Sequence, residues 1–344
     1  MTATHTSEHL TIDSNSHASS PELPTKRLAT ERGWIEKLRA NNIGVLVVGH
    51  GTRNPDGTRQ LIRLTGEIKS RLPGVAVEPS FLELCEPEIT QGLTKLKEQG
   101  CSELFVVPIL LFTAAHAQED IPDAVAKGCA ELGMVVLGQT VSLGTHPMVV
   151  ELSKLRFEQV VTPRSYCETG HCSWGADPNY RCHADGKDGC CRLGLWHQSR
   201  RLRTTEVGKS EERIGLAMVG RGTSDPTARG HMLELTRKRV ELTPVVWSQT
   251  GFFAGGEVDV DQLLEQASLA DCDVIVVQPH LLFEGELMNK LRDKLGGMRK
   301  RFPEKTWWLA GCLGADPSLA DVFVGLLGEQ VLPFLGLAKS GDSF

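Results

Sequence analysis

The sequence has no long apolar run and no excess of positive charge. Its longest largely apolar stretch, Leu104 to Ala115, falls far short of the roughly 20 residues a membrane-spanning helix needs. The amino-terminal residues carry no apolar signal core and are instead rich in Thr, Ser and His. With 37 Lys and Arg against 43 Asp and Glu, the formal net charge of -6 gives a general nucleic-acid role no support. Neither a membrane partner nor a nucleic acid is therefore expected, and the expected compartment is the cytoplasm, where thiols stay reduced. Ten cysteines in that setting point to metal or redox chemistry rather than a disulfide framework.

What is present suits two domains: 344 residues, 40% hydrophobic and 23% charged. Residues 1–28 are polar and expected to be a disordered tail; a short helix is expected over Glu31–Ala40. Val45-Leu46-Val47-Val48 then runs straight into Gly49-His50-Gly51. A fully apolar run bounded by glycine reads as a buried parallel strand, and the glycines let the chain turn sharply at its carboxyl end. His50 is thereby presented where open α/β sheets bind ligands. Asn54-Pro55-Asp56-Gly57 reads as a loop before a helix with apolar residues at Leu61, Leu64 and Ile68. Further strands are expected over Val75–Leu84, Leu104–Phe112 and Met134–Leu137, and helices over Ile89–Gln99, from Ile121-Pro122 with Asp120 as cap, and up to about Val160. This alternation specifies a doubly wound parallel sheet.

Residues 163–212 break the pattern, and at Ile214 it restarts. Ile214 to Thr223 mirrors Ile43 to Thr52 at an offset of 171 residues (214 − 43), and Pro226 matches Pro55. The expected architecture is therefore two tandem related α/β domains, 29–162 and 213–335, facing each other across a cleft and joined by a cysteine-rich linker. Each half covers the other, which predicts a monomer containing its own pseudo-dimer. The copies differ where chemistry is expected: His50 becomes Arg221, and His116 has no clear histidine counterpart.

His50 and His116 follow two strands of one sheet, so two imidazoles can reach one divalent ion. Open coordination positions suit an ion that must be passed on. Glu83, near the end of another strand, is a candidate further ligand or proton acceptor; Glu86 and Glu88 compete for that role, and a surface helix cap is its bland alternative. Arg53, Arg59, Arg63 and Arg221 are candidate anion contacts, against a solvated helix face, which suits Arg59 and Arg63 at least as well. In the linker, Cys167, Cys172, Cys182, Cys190 and Cys191 lie close to His171 and His183. Thiolates with imidazoles bind zinc or an iron–sulfur cluster; the spacing chooses neither, and a loop of reduced thiols is the alternative.

Val47-Val48-Gly49-His50-Gly51-Thr52-Arg53, Phe81-Leu82-Glu83-Leu84-Cys85-Glu86-Pro87 and Val107 through His116 to Pro122 closely resemble the class II tetrapyrrole chelatases, specifically sirohydrochlorin chelatases of the long CbiX type. The restart at Gly220-Arg221-Gly222-Thr223 and the run Leu281 to Leu287 resemble the second domain of those proteins. The resemblance implies insertion of a divalent metal, cobalt or iron, into sirohydrochlorin for cobalamin or siroheme. It makes His50 and His116 the metal-binding pair and Glu83 a helper; the substrate it implies carries many carboxylates, which Arg53, Arg59, Arg63 and Arg221 are candidates to hold. Ala114-Ala115 stands where a glycine pair is usual, and Gln118-Glu119 where a more basic pair is usual, which leaves the choice of metal open. The rival reading is a metal carrier or sensor that uses the cysteine segment and keeps the α/β domains as scaffold.

Overall fold

The computed structural model describes residues 25–112, 115–161 and 213–335. The expected tail up to residue 24 and the linker bearing Cys167, Cys172, Cys182, Cys190 and Cys191 lie outside the described residues. So does the side chain of His116.

The first half runs α1 (Thr25–Ala40), β1 (Ile43–Gly49), α2 (Pro55–Arg71), β2 (Val77–Phe81), α3 (Ile89–Glu98), β3 (Glu103–Pro108), α4 (Ala115–Leu132), β4 (Val135–Gln139) and α5 (Pro147–Val161). The second half repeats it as β5 (Ile214–Gly220), α6 (Pro226–Glu241), β6 (Trp247–Phe252), α7 (Val260–Leu269), β7 (Val274–Pro279), α8 (Glu286–Arg301), β8 (Thr306–Leu309) and α9 (Pro317–Phe334). Both sheets are parallel and share one strand order, β2-β1-β3-β4 and β6-β5-β7-β8. The order reverses between β1 and β3, the switch point at which such sheets open a crevice.

Local chemistry explains the elements and the places where they depart from expectation. Asn54-Pro55-Asp56-Gly57 starts a helix instead of forming a loop: the Asn54 side chain accepts from Asp56 N at 2.9 Å, and Pro55 takes the first helical position. Helix α1 begins at Thr25, before the expected Glu31, because good helix formers follow Pro24 directly. Strand β2 stops at Phe81, short of Leu84, because the chain folds back and Phe81 N bonds to Pro87 O at 2.8 Å. Strand β3 stops at Pro108 rather than Phe112, and Leu110 N turns back to Pro108 O at 3.1 Å. Helix α4 starts at Ala115 and carries Pro122 inside it. Asp120 is therefore not its cap but a residue of its second turn.

Alternating residues of each strand feed opposite faces. Leu46, Val48, Leu104 and Val106 pack with α3 and α4 residues such as Leu93, Leu96 and Val125. Val45, Val47, Phe105 and Val107 belong instead to a core that also holds Leu216, Met218, Val274 and Val276 of the second sheet.

That shared core exists because the halves exchange their last helices. Helix α9 packs on α2, β3 and β4 of the first half, and α5 packs on α6 and β7 of the second. Phe334 meets Phe105 edge-on at 5.8 Å, and Trp34 of α1 lies against Gly328 of α9. In the other direction, Gln278 Nε2 donates to Ser153 O at 2.6 Å and Oγ at 2.9 Å, both groups buried. Arg156 of α5, 1% exposed, donates to the carbonyls of Cys312 and Leu313 and to Asp316. The closing helix expected for the first domain thus forms, but it covers the second sheet. Among the described residues no helix is long and apolar enough to cross a membrane.

Candidate functional site

The carboxyl ends of β1 and β2 are stitched together beyond the strands themselves. Leu82 N donates to Gly49 O at 2.9 Å, and Glu83 N donates to His50 O at 3.1 Å. Gly51 makes this close approach possible. Its φ is +103°, and a Cβ there would stand 1.8 Å from Glu83 O. The stitching brings the Glu83 carboxylate to 3.6 Å from His50 Nε2. That is too long for a hydrogen bond, but it places imidazole and carboxylate around one shared space.

His50 is half-buried, and its pKa lies below the ordinary 6.5. Burial is the largest cause, followed by the positive charge of Arg221; Glu83 and Asp120 pull in the opposite direction. A lowered pKa keeps the imidazole neutral near pH 7, the form that donates a lone pair to a metal. The charge of Arg221 comes from the other half of the molecule. The two residues that occupy equivalent positions in the duplicated sequence therefore lie within electrostatic range of each other.

The remaining expected site residues fall into three groups. His116 is the second residue of α4, the helix that follows the strand neighbouring β1. The backbone thus sets His50, Glu83 and His116 behind three adjacent strands. Arg53 is exposed in the turn between β1 and α2. Arg59, on the exposed side of α2, is paired with Asp56 of its own helix. Among the described residues no three metal-ligating side chains cluster.

Asp120 was legible only as a cap, yet its carboxylate acts on His50. The available signal was spacing: once the helix starts at Ala115, His116 and Asp120 stand four residues apart on one face. Leu84 was also missed. It has φ +67°, and Cys85 N bonds to Glu83 O at 2.9 Å across it, which makes a γ-turn of the strained, positive-φ kind. For a non-glycine residue so sparsely populated a backbone conformation costs about 1–3 kcal/mol.

The second half preserves this scaffold without the chemistry. Gly222 has φ +85°, with a Cβ position 1.8 Å from Ala254 O, and Phe253 N donates to Gly220 O at 3.2 Å. At the same sequence offset, Arg221 stands for His50, Ala254 for Glu83, Gly255 for Leu84 and Leu287 for His116. Contacts across the halves lock the two rims. Glu284 N donates to Gln60 Oε1 at 2.8 Å, and Arg292 Nη2 holds both oxygens of the Glu284 carboxylate at 2.8–2.9 Å. Phe112 packs 5.5 Å from the ring of His280, which is fully buried. Neither ring nitrogen of His280 has a partner among the described residues, and burial drives its pKa down to about 3.

A family model, CbiX, matches residues 44–160 and 215–330, together more than half of the chain. This chain belongs to the CbiX family. The two matched segments coincide with the two sheets and their helices, and the cysteine-rich linker falls between them. Among relatives of this CbiX-family chain, sirohydrochlorin ferrochelatase of Priestia megaterium is 26% identical over 85% of this chain and 90% of its own length. Sirohydrochlorin cobaltochelatase of the same organism is 24% identical, over 83% of this chain and 80% of its own. Among solved structures, SirB from Bacillus subtilis with Fe3+ shares the fold with a TM-score of 0.62 at 22% identity, covering 85% of this chain and 97% of that one.

Proposed function

We propose that this chain inserts a divalent metal, cobalt foremost and iron next, into sirohydrochlorin. The observation that carries the reading is His50, held neutral and half-buried, 3.6 Å from a carboxylate and facing the charge of Arg221 across the two halves. Relatives over most of the chain are named for this reaction with iron or with cobalt. Insertion replaces two pyrrole N–H protons by one M2+ ion, so a site must hold the ion loosely and accept protons. His50 and His116 supply exchangeable imidazole ligands. Glu83 adds a carboxylate that serves as ligand or takes a proton from the macrocycle. Arg221 and Arg53 answer the acidic rim of the substrate; Arg59 is already compensated by Asp56. One chain supplies both halves of the site, so a monomer is expected, and light scattering checks it.

The test is anaerobic. Purified protein is mixed with sirohydrochlorin and Co2+ or Fe2+, and absorbance is followed against an enzyme-free control. Acceleration is expected, falling by roughly 100-fold or more in His50→Ala, with the ratio of the two rates giving the preferred ion. Replacing the five linker cysteines by serine is expected to leave insertion intact. Tight metal binding without acceleration by any divalent ion refutes the chelatase reading and favours a carrier that uses Cys167–Cys191.

A further inference from the structure

We propose that Leu84 is a specificity residue of this site, packing its side chain against the flat apolar face of the macrocycle. The inference rests on the chelatase reading. Two features of Leu84 are each unfavourable for the protein alone. The backbone is held at φ +67° in a strained γ-turn, and the apolar side chain is 49% exposed. The fold does not require a leucine there. Gly255, the equivalent residue of the second half, takes φ +66° with the residue type that suits it. The leucine and the neighbouring carboxylate occur together in the half that carries His50, and both are absent, as Gly255 and Ala254, from the half that carries Arg221.

Position supplies the reason. Leu84 directly follows Glu83, whose amide is pinned to His50 O at 3.1 Å, so its Cα stands about 3.8 Å from that of Glu83. A macrocycle seated with its central nitrogens over the His50–Glu83 pair extends its ring face past the residue flanking that pair. A leucine held out by its own backbone meets that face and excludes water from it. Strain kept at a functional site is the expected pattern when the side chain it presents is used by a ligand.

The experiment compares Leu84→Gly, Leu84→Ala and Leu84→Met with wild type. The affinity of metal-free sirohydrochlorin is read from quenching of its fluorescence, that of Co2+ by equilibrium dialysis, and the thermal midpoint by circular dichroism. Leu84→Gly and Leu84→Ala are expected to weaken the macrocycle roughly tenfold, the value of burying the exposed part of a leucine, with Co2+ affinity unchanged. Leu84→Gly keeps or raises the midpoint because it relieves the turn, and Leu84→Met restores macrocycle affinity to within about threefold of wild type. Unchanged macrocycle affinity in the glycine and alanine variants overturns this inference alone. Equal loss of macrocycle and Co2+ affinity also overturns it, since the turn rather than the side chain would then matter. A wild type that does not bind sirohydrochlorin overturns both this inference and the chelatase reading.

Discussion

Replacing Arg156 by methionine tests the helix exchange that joins the two halves. The guanidinium is 1% exposed; Nε donates to Cys312 O at 2.9 Å, and Nη2 donates to Leu313 O at 2.6 Å and Asp316 Oδ2 at 2.9 Å. Asp316, whose side chain is only 14% exposed, also caps α9 by accepting from Ser318 N at 3.0 Å. Methionine keeps much of the apolar stem but removes the cation and every donor. It leaves a nearly buried carboxylate without its counter-charge and two buried carbonyls without a partner. Breaking a buried pair in this way costs about 3–5 kcal/mol. With an m value of about 3 kcal/mol/M, the urea midpoint falls by roughly 1–1.7 M. Unfolding is followed by circular dichroism and intrinsic fluorescence, and coincidence of the two curves licenses the comparison. Asp316→Asn keeps a capping oxygen and is expected to cost less. The double variant is expected to be more stable than the sum of the two losses by at least about 1 kcal/mol, the signature of direct coupling. A loss below about 1 kcal/mol in Arg156→Met, with coincident probes, refutes the account of α5 as a buried electrostatic tie between the halves.

Three other outcomes follow from the same geometry. Gly51→Ala forces a Cβ to within 1.8 Å of Glu83 O at φ +103°; insertion is expected to fall by roughly 100-fold or more, and initial rates that match wild type would show that the loop yields at no cost. Arg221→Gln removes a charge that lowers the His50 pKa; the pKa is expected to rise, so the loss of Co2+ affinity on acidification begins at higher pH, whereas Arg221→Lys leaves it near wild type. An imidazole titration by NMR that shows no upward movement contradicts this. His280 is neutral in the folded state, with a pKa of about 3 against 6.5 unfolded. The unfolded chain therefore takes up a proton first as pH falls below 6.5, stability drops by about 2 kcal/mol by pH 5, and the full contribution is present above pH 6.5. His280→Leu is expected to flatten that part of the stability–pH curve, and an unchanged slope rules the group out.

Local signals carried much of the architecture. The apolar runs, the glycines after them and the restart at Ile214 encode two copies of one parallel sheet, because strand and cap preferences act over a few residues. His50 stood out as a candidate for a related reason: a lone histidine after a strand is usually structural, but His116 follows another strand of the same sheet, and two imidazoles at equivalent strand ends can reach one ion. The errors at Asn54-Pro55-Asp56-Gly57 and at Pro122 arose because the same residues serve loops and helix starts, and only the surrounding packing chooses between them.

Which sheet a helix covers is not a local property. The sequence of α5 marks an apolar face but not its partner, and Arg156, charged, reads as solvent-exposed until the carbonyls of Cys312 and Leu313 are seen around it. The reach of Arg221 to His50 and of Asp120 to the same imidazole depends on how the halves and α4 pack, since electrostatic influence follows distance in space. The strained turn at Leu84 is likewise invisible in the chain, where leucine is an ordinary residue; it follows from hydrogen bonds that tie Glu83 to His50 and Cys85 to Glu83. By itself the sequence determined the repeated fold and the residues at its strand ends. The tertiary structure decided which of them share one electrostatic environment, because that depends on contacts between residues far apart in the chain.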